Sequence, residues 1–434
     1  MFKAVAGYYK DNERLRLLVK IIAVWLISRA VMLLMVPVMN LIADEPHQWL
    51  YYMNPWDAEW YKGIVENGYQ PPKSSGMASW AFFPLYPLVC MAVRLVTMGS
   101  IDTYAVGMTV SNICIIIAVY YAVKYADIEL DMKKYNKKTV EDIIIFLMLA
   151  GPFAVYYGAM YTEALFILCV ILCFYNSARH NYMAAGIAAA MASATRIVGC
   201  MLVFVLITYM FMETCAECRA KHNSEMKDNK EAGIIDKCML TEEAGILIAG
   251  NISLASVIRT FIKNVIKEPK KLVAKIMISP LGIFIYMNYL RYFCGDSWAF
   301  YHVQRAWRTQ KMFPVIGVLF KSCTGQLSAA SGVKTLNGII LGWLCVITLM
   351  LYAAMIRKKH YALGIFGIIV LLIPLTSSVM STLRFIMGSF VIYIGVAEII
   401  AGCNRYVRYG IITLLSIVEI VVISAWYFWD GLLM

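Results

Sequence analysis

The sequence predicts an all-α polytopic membrane protein, and two observations lead to that fold class. Of the 434 residues, 61% are hydrophobic and only 15% are charged, whereas soluble globular proteins contain about 25% charged and about 45–50% apolar residues. Apolar runs of about 20 residues, the length that spans a bilayer as an α-helix, recur from one end of the chain to the other. The sequence therefore indicates many transmembrane helices rather than one soluble core.

The excess of basic residues fits the same fold class. In a polytopic membrane protein, a net charge of +12 marks cytoplasmic loops and contacts with anionic headgroups, so nucleic-acid binding is not indicated. Basic residues crowd the first 20 positions and predict a cytoplasmic N-terminus. The first apolar segment, residues 17–36, is too long for a signal-peptide core and lacks a cleavage site, so we expect it to remain as the first helix.

Hydropathy and the positive-inside rule predict about eleven crossings in a single membrane domain, residues 1–434. The predicted crossings lie at about 17–36, 104–124, 142–160, 162–178, 182–196, 198–214, 272–290, 335–356, 361–380, 385–403 and 410–429. The polar segments are a first extracytoplasmic loop at 37–103 with surface or re-entrant helices, a basic cytoplasmic loop at 215–275 and a second extracytoplasmic region at 291–333.

Two apolar stretches leave the topology open. A crossing at residues 81–97 would place the lysines at 133–138 outside, so we expect this stretch to lie along the outer surface or to re-enter. Residues 182–214 form either two crossings or one tilted helix. One tilted helix combined with a crossing at 81–97 gives the same downstream orientation, so loop charge alone does not separate the two topologies.

The basic cytoplasmic loop contains two further features. Apolar and basic residues at 245–267 follow the pattern of an amphipathic helix on an anionic inner leaflet, with a short crossing as the alternative. Cys215 and Cys218 form a CxxC motif with His222 and Cys238 downstream. This spacing permits a zinc site, but a lone CxxC is a weak signal, and uncoordinated thiols are favoured.

The first extracytoplasmic loop carries two carboxylates two residues apart, Asp57 and Glu59. Acids beside a membrane boundary indicate function, here a general base that takes the proton of an acceptor hydroxyl as it attacks an activated sugar carbon. The structural alternative is that Asp57 caps a short surface helix starting at Ala58. Aromatic neighbours suit both the headgroup belt and stacking on sugar faces. They are Trp56, Trp60 and Tyr61.

Three more charged residues interrupt or border apolar stretches on the predicted outer side: Glu163, Arg196 and Arg384. Glu163 either holds an acceptor hydroxyl, orients a base, or contributes favourable charge in the first turn of a helix. The two arginines offer guanidinium groups for phosphate oxygens, although snorkelling explains each one alone about as well. Their return to the side of the loop acids favours function.

The second extracytoplasmic region places His302, Arg305 and Arg308 at near-helical spacing. They are candidates for covering the phosphate or the sugar, and a solvated helix face explains them nearly as well. The sequence contains no HExxH, GxSxG or P-loop pattern, which argues against a metalloprotease, a serine hydrolase and an ATPase.

Four short motifs occur in order along the chain: Trp56-Asp57, Ala81-Phe82-Phe83-Pro84, Thr162-Glu163-Ala164 and Ala194-Thr195-Arg196. They resemble motifs of the PIG-V-type mannosyltransferases, the second mannosyltransferase of GPI-anchor synthesis and its bacterial relatives in the GT-C class. The resemblance implies inverting transfer from a polyprenyl-phosphate sugar on the extracytoplasmic side. It also implies a catalytic acid in the first outer loop, which corresponds to Asp57, and a substrate-binding role for Phe83. The large basic cytoplasmic loop departs from the family, so a GPI acceptor is not implied.

The expected function is that of a GT-C-like glycosyltransferase, with Asp57 as general base and Glu59 in support. The expected acceptor is lipid- or envelope-linked, and Arg196 or Arg384 meets the charge of the leaving phosphate. No cofactor is expected, and a divalent metal is optional because guanidinium groups supply positive charge.

The competing hypothesis is a transporter or flippase for a lipid-linked sugar, which predicts polar residues along a transmembrane path and repeated halves. Partners other than lipids, the sugar donor and the acceptor are not indicated by the sequence. The expected location is the bacterial cell membrane, or the endoplasmic reticulum membrane for a eukaryotic chain.

Overall fold

The chain forms a bundle of α-helices in the computed structural model, which describes residues 12–43, 46–73, 76–231, 254–267, 276–306, 314–326, 335–376, 379 and 381–428. No β-strand occurs among these residues. The α-helices within them are α1 Glu13–Ile42, α2 Trp49–Met53, α3 Asp57–Asn67, α4 Leu85–Val96, α5 Thr103–Glu129, α6 Lys137–Leu149, α7 Glu163–Ala178, α8 Tyr182–Ser193, α9 Leu202–Glu231, α10 Leu254–Lys267, α11 Leu281–Cys294, α12 Ala299–His302, α13 Val315–Cys323, α14 Thr335–Arg357, α15 Tyr361–Leu375, α16 Thr382–Gly388, α17 Val391–Gly402 and α18 Arg405–Tyr427. The 3-10 helices are Ser79–Ala81, Ala154–Tyr157, Ile197–Met201 and Val303–Ala306.

Within the described residues, five helices are long and apolar enough to cross a membrane. Four of them are α1, α5, α14 and α18. The fifth is the helix at Ile197–Ser224, which contains most of α9. The α16–α17 pair, bent by 70° at its break, is a sixth if it counts as one span, and α4, α7, α8 and α15 are shorter apolar helices. The all-α polytopic membrane architecture is thereby confirmed, and the count of eleven crossings stays a prediction.

One predicted crossing and one topological alternative differ from the structure. The segment at 142–160 is not one continuous helix, because α6 ends at Leu149 and a 3-10 helix follows at Ala154–Tyr157. Gly151 and Pro152 lie between them, and neither residue favours a helix interior. The single tilted helix considered for 182–214 is also wrong, since α8 ends at Ser193 and the chain turns before the next helix.

The basic loop predicted at 215–275 is helical in its described parts. α9 continues to Glu231 and so includes the start of this loop. α10 covers part of the predicted amphipathic helix, with Val257 buried and Phe261 packed against Phe211 of α9 at 5.6 Å between ring centroids. Residues 245–253 lie outside the described part, and the contact of this helix with the inner leaflet stays a prediction.

The stretch at 81–97 contains α4, whose 12 residues span about 18 Å at 1.5 Å per residue. That is shorter than the hydrocarbon core of about 30 Å, in agreement with a surface or re-entrant helix. α4 is tied to its neighbours by two contacts. The Tyr86 hydroxyl donates to the Gly107 carbonyl of α5 at 2.9 Å, and the Leu85 amide donates to the Ala194 carbonyl at 3.0 Å.

The α7–α8 hairpin brings two distant positions of the sequence to one end of the bundle. Most residues of α7 are buried, as expected of a helix that is apolar on all sides. α8 returns along α7 after a short turn. Glu163 at the start of α7 and Arg196 just beyond α8 therefore lie side by side.

The broken helix α16–α17 delivers the last charged residue to the same end. Both helices begin after a non-glycine residue in the left-handed region, Ser381 at φ 62° and Phe390 at φ 49°. Phe390 is fully buried, and its ring packs against those of Tyr125 and Phe174 at 5.6 and 5.1 Å. This packing holds a strained backbone that redirects α16 so that Arg384 points at the α7–α8 end.

Candidate active site

Two acids and two arginines form one connected ion network. Arg384 Nη1 lies 2.5 Å from Asp57 Oδ2, and Arg384 Nε lies 2.5 Å from Glu163 Oε1. Arg196 Nη2 lies 3.2 Å from the same Glu163 Oε1. Two guanidinium groups thus balance two carboxylates, which is how charges are accommodated in a desolvated site.

The exposure of the four side chains differs and gives the network an open end. Glu163 retains 1% of its side-chain exposure, Arg384 9% and Arg196 14%, whereas Asp57 retains 27%. Asp57 is therefore the carboxylate that a substrate can reach. Glu163 lies behind it, engaged by both arginines.

The backbone that carries Asp57 is held in an unusual conformation. Trp56 has φ 48°, which is rare for an aromatic residue and costs free energy. The Tyr161 hydroxyl fixes this turn from both sides, since it donates to the Pro55 carbonyl at 2.7 Å and accepts from the Asp57 amide at 3.2 Å. Trp56 packs edge-on against Trp426 at 5.4 Å.

The structural alternatives for the two acids are partly correct. α3 starts at Asp57 and its cap position is Trp56, so Asp57 is in the first turn rather than the capping residue of a helix starting at Ala58. Glu163 is also in the first turn of its helix, α7. Both carboxylates lie where a helix dipole favours negative charge, and both also bind arginine.

Aromatic rings support the arginines. Arg384 lies over the Tyr161 ring at 4.9 Å, and Arg196 lies near Phe166 at 5.8 Å and Phe385 at 5.4 Å. Such contacts are favourable for guanidinium groups in desolvated sites. One atom of Arg196, Nη1, is buried and has no hydrogen-bond partner within the described part of the chain. A buried N–H group without an acceptor is costly, so this atom is a ready donor for an incoming anion.

The predicted aromatic residues pack beside the network. Trp60 stacks on Phe82 at 5.5 Å, and the Lys73 ammonium lies 5.0 Å from the centre of the Trp60 ring. Tyr61 is buried, with its hydroxyl 3.5 Å from Thr162 Oγ1. Burial, reinforced by the charge of Asp57, raises the pKa of the Tyr61 phenol well above its ordinary value, so it remains a neutral hydroxyl.

Other predicted site residues lie outside the network. Glu59 is exposed and accepts a hydrogen bond from the Tyr104 hydroxyl of α5. Phe83 belongs to a separate apolar cluster with Tyr286 and Phe300. Glu59 lies apart from Asp57 because the two residues are two positions apart in α3, and successive helix positions point about 100° apart.

The second extracytoplasmic region is also separate in its described contacts. His302 Nδ1 lies 2.7 Å from Asp296 Oδ2, with both side chains exposed, and this hydrogen bond lowers the pKa of the Asp296 carboxyl. Arg305 lies in the 3-10 helix Val303–Ala306, and its side chain is outside the described part. Arg308 falls outside the described residues altogether.

Metal-ligating groups are sparse in the described ranges. No set of three His, Cys, Asp or Glu side chains with metal-binding geometry occurs there. Cys215 and Cys218 are free thiols on α9, and Cys238 of the candidate zinc set lies outside the described residues.

Sequence reasoning gave no role to two residues that shape the site, Tyr161 and Asn54. The Asn54 side chain accepts from the Met160 amide at 2.7 Å and donates to the Leu50 carbonyl at 2.9 Å. Together with Tyr161, it ties the Asp57 loop to the segment before Glu163. The concentration of tyrosines at 156–161 was the signal that this segment contacts something polar.

Comparison with known proteins adds the family to this geometry. Residues 15–231, half of the chain, match the family described as mannosyltransferase (PIG-V). The chain belongs to this family. The match includes Asp57, Glu163 and Arg196, while Arg384 is supplied by the remaining half of the chain. The match confirms the family resemblance predicted from the sequence, and the helices confirm the all-α membrane fold class.

Solved structures of an archaeal oligosaccharyltransferase also resemble the mannosyltransferase-family chain. AglB from Archaeoglobus fulgidus, in complex with an inhibitory peptide and a dolichol-phosphate, is 12% identical with a TM-score of 0.43, over 98% of this chain and 56% of that one. The Archaeoglobus fulgidus enzyme tethered to an acceptor peptide is 12% identical with a TM-score of 0.45, over 97% and 56%. The chain thus spans about half the length of these proteins. No curated protein matches its sequence.

Proposed function

We propose that this protein is an integral-membrane mannosyltransferase that moves a sugar from a polyprenyl-phosphate donor to a lipid- or envelope-linked acceptor. Its family supports glycosyl transfer. The observation that carries the chemistry is the position of Asp57 at the open end of a buried, charge-balanced ion network.

Asp57 is the general base of this proposal. It takes the proton of the acceptor hydroxyl as that oxygen attacks the anomeric carbon, and the bond from this carbon to the phosphate oxygen breaks. Attack from the face opposite the phosphate inverts the anomeric centre. Asp57 is more exposed than Glu163, which makes it the carboxylate able to contact the acceptor.

The arginines are the proposed phosphate site. Arg196 Nη1 is buried without an acceptor, and a phosphate oxygen supplies one with a charge-assisted hydrogen bond. Positive charge fixed beside the leaving oxygen stabilises the charge that develops there. Two guanidinium groups provide this without a metal ion, and the proposal includes no cofactor.

The proposal places the reaction on the extracytoplasmic face of the membrane, at the bundle end formed by α3, α7 and α16. The lipid tail of the donor enters between helices, where apolar side chains are exposed on α1 and α18. For a bacterial chain this membrane is the cell membrane.

The test is sugar transfer by purified protein in nanodiscs. The donor is polyprenyl-phosphate [14C]mannose, and the acceptor is the total lipid extract of the source cells. We expect label in a product other than the donor. In Asp57→Asn we expect kcat to fall by a factor of about 100 at least, in line with the usual contribution of a general base. The matched control is Glu66→Gln, which removes an exposed carboxylate from the same helix and leaves transfer intact.

Two outcomes contradict the proposal. Transfer at the wild-type rate by Asp57→Asn removes Asp57 as the base. Movement of the labelled donor between leaflets without transfer to any acceptor replaces the transferase with a flippase.

A further inference from the structure

The arginine that contacts the proposed base is shared between two acids. Arg384 reaches Asp57 through Nη1 and Glu163 through Nε. These two bonds differ in their surroundings, because Glu163 is almost fully buried and Asp57 is partly exposed. The Glu163 contact is therefore shielded from water and salt, whereas the Asp57 contact is the one that an incoming anion can displace.

The charge balance of the network leaves no spare positive charge for a donor. Asp57 and Glu163 together cancel Arg196 and Arg384. A donor phosphodiester brings one more negative charge, so it competes with a carboxylate for a guanidinium group. The accessible competitor is Asp57.

We propose that Arg384 exchanges the Asp57 carboxylate for the donor phosphate, with Glu163 as the positioning residue on which the guanidinium turns. The inference rests on the proposed function and adds an order of events: the donor phosphate binds before Asp57 can accept a proton. The carboxylate is occupied by Arg384 while the site is empty, and it becomes available to an acceptor hydroxyl once the phosphate is bound.

The change of Arg384 partner also matches the movement of negative charge during the reaction. When the acceptor oxygen bonds to the anomeric carbon, its proton passes to Asp57, which becomes neutral and loses its attraction for Arg384. The broken bond leaves its electron pair on the phosphate oxygen, where one more negative charge appears. Arg384, already on the phosphate, thus stabilises the charge that develops on the leaving group, and the Arg384–Asp57 pair forms again after the lipid phosphate and the proton have left.

The position of Glu163 suits such a pivot. Its Oε1 accepts from both arginines and holds their charged groups at a fixed spacing. It lies in the first turn of α7, a helix most of whose residues are buried, so its backbone belongs to a packed helix rather than a loop. Arg384 retains the Nε bond to Glu163 while its terminal nitrogens change partner.

Binding of polyprenyl phosphate, the lipid product of the proposed reaction, tests the exchange without an acceptor. Affinity is measured for wild type, Asp57→Asn, Arg384→Gln and the double variant in nanodiscs. Removal of the competing carboxylate strengthens binding by about 5-fold or more in Asp57→Asn, which misfolding cannot produce. In the Arg384→Gln background the same Asp57→Asn change gives no gain, because the shared guanidinium is absent.

Three results overturn the exchange. Equal or weaker binding by Asp57→Asn shows that the carboxylate does not compete. An equal gain from Asp57→Asn in the Arg384→Gln background, or from Glu66→Gln alone, shows a general effect of removing negative charge. Failure of wild type and every variant to bind polyprenyl phosphate contradicts the proposed donor class as well, whereas transfer activity with an unaltered Asp57→Asn affinity contradicts the exchange alone.

Discussion

At the scale of single residues, exposure separates the roles of two acids that both lie on the predicted outer side. Both Asp57 and Glu163 bind Arg384, but only Asp57 has an accessible side chain. The burial of Glu163 favours a role through the arginines over direct contact with an acceptor hydroxyl. The sequence singled out both acids as candidates, and the rotation of each helix, which depends on packing, determines which one faces the open end.

Tyr161→Phe tests the clamp on the Asp57 turn. The change removes the hydroxyl that binds Pro55 and Asp57 but keeps the ring under Arg384. Loss of these bonds costs about 1–3 kcal/mol, and we expect kcat to fall about 10-fold, which corresponds to about 1.4 kcal/mol. The KM for the donor changes little, because the arginines keep their ring contact. Steady-state kinetics with a fixed acceptor extract measures both constants.

The matched control for this prediction is Tyr175→Phe. Tyr175 is on the same helix as Glu163, but its hydroxyl binds Arg179 at the far end. Its removal leaves kcat unchanged. A wild-type kcat for Tyr161→Phe refutes the clamp.

At the scale of elements, hydropathy predicted which segments are helical better than it predicted where helices break. The spans near 17–36, 104–124 and 335–356 appear as long helices, since a 20-residue apolar run has few other ways to satisfy its backbone in lipid. The break lies at Gly388-Ser389, just before Phe390, and Gly/Ser pairs are common sites of helix kinks. The direction of the bend depends on the packing of the Phe390 ring against α5 and α7, which hydropathy does not encode.

Gly199→Ala tests the close approach that places Arg196. A Cβ at Gly199 would lie 2.3 Å from the Ala192 carbonyl carbon and 2.5 Å from the Ser193 amide nitrogen of α8. Backbone atoms cannot yield as a flexible side chain does, so we expect a loss of about 1–3 kcal/mol in stability and a weaker Arg196–Glu163 contact. The measurements are the apparent Tm in detergent at a fixed scan rate and the affinity for polyprenyl phosphate, both of which fall.

Gly63→Ala is the control for the glycine prediction. It lies inside α3, and a Cβ there meets nothing within 4 Å. Replacing a helix glycine with alanine in open space stabilises by about 0.5–1 kcal/mol. An unchanged or raised Tm for Gly199→Ala contradicts the packing argument.

At the scale of the whole molecule, the site is assembled from segments far apart in the chain. Asp57 and Arg384 are separated by 327 residues, and Glu163 and Arg384 by 221. Predicted topology placed Asp57, Glu163, Arg196 and Arg384 on one side of the membrane because loop charge fixes which helix ends share a face. It did not give their pairing, since that depends on the depth and rotation of each helix, nor the separation of Glu59 from the network.

A second polar cluster ties the opposite end of the bundle together. α5 begins beside α3, where Tyr104 binds Glu59, and its 27 residues extend about 40 Å to Glu129. There His360 Nδ1 lies 2.7 Å from Glu129 Oε1, and His360 Nε2 lies 3.9 Å from Glu398 Oε2. The groups that face this cluster from neighbouring elements are Lys358 and Tyr135 on Glu398, and Tyr125 and Tyr209 on Glu129.

This cluster predicts a stability that depends on pH. Burial lowers the pKa of His360, but hydrogen bonds to Glu129 and Glu398 outweigh it and raise the pKa to about 9, against about 6.5 in an unfolded chain. A group whose pKa is higher in the folded state stabilises fully below the unfolded pKa, and the contribution is lost as pH rises through the folded pKa. We therefore expect the apparent Tm of the wild type to fall between pH 6.5 and about 9.5 by more than that of His360→Asn.

Asparagine is the informative replacement because His360 occupies the cap position of α15, where asparagine is favoured. The substitution therefore preserves the start of the helix while it removes the titrating group. At pH 6 the variant is less stable than the wild type, since Glu129 and Glu398 lose their cation, and the two melting temperatures converge as the pH approaches 9.5. If the curves of apparent Tm against pH for wild type and His360→Asn stay parallel across this range, the pH dependence belongs to the other groups of the cluster. Convergence shows that a protonated His360 joins α5, α15 and α17 at the end of the bundle remote from Asp57.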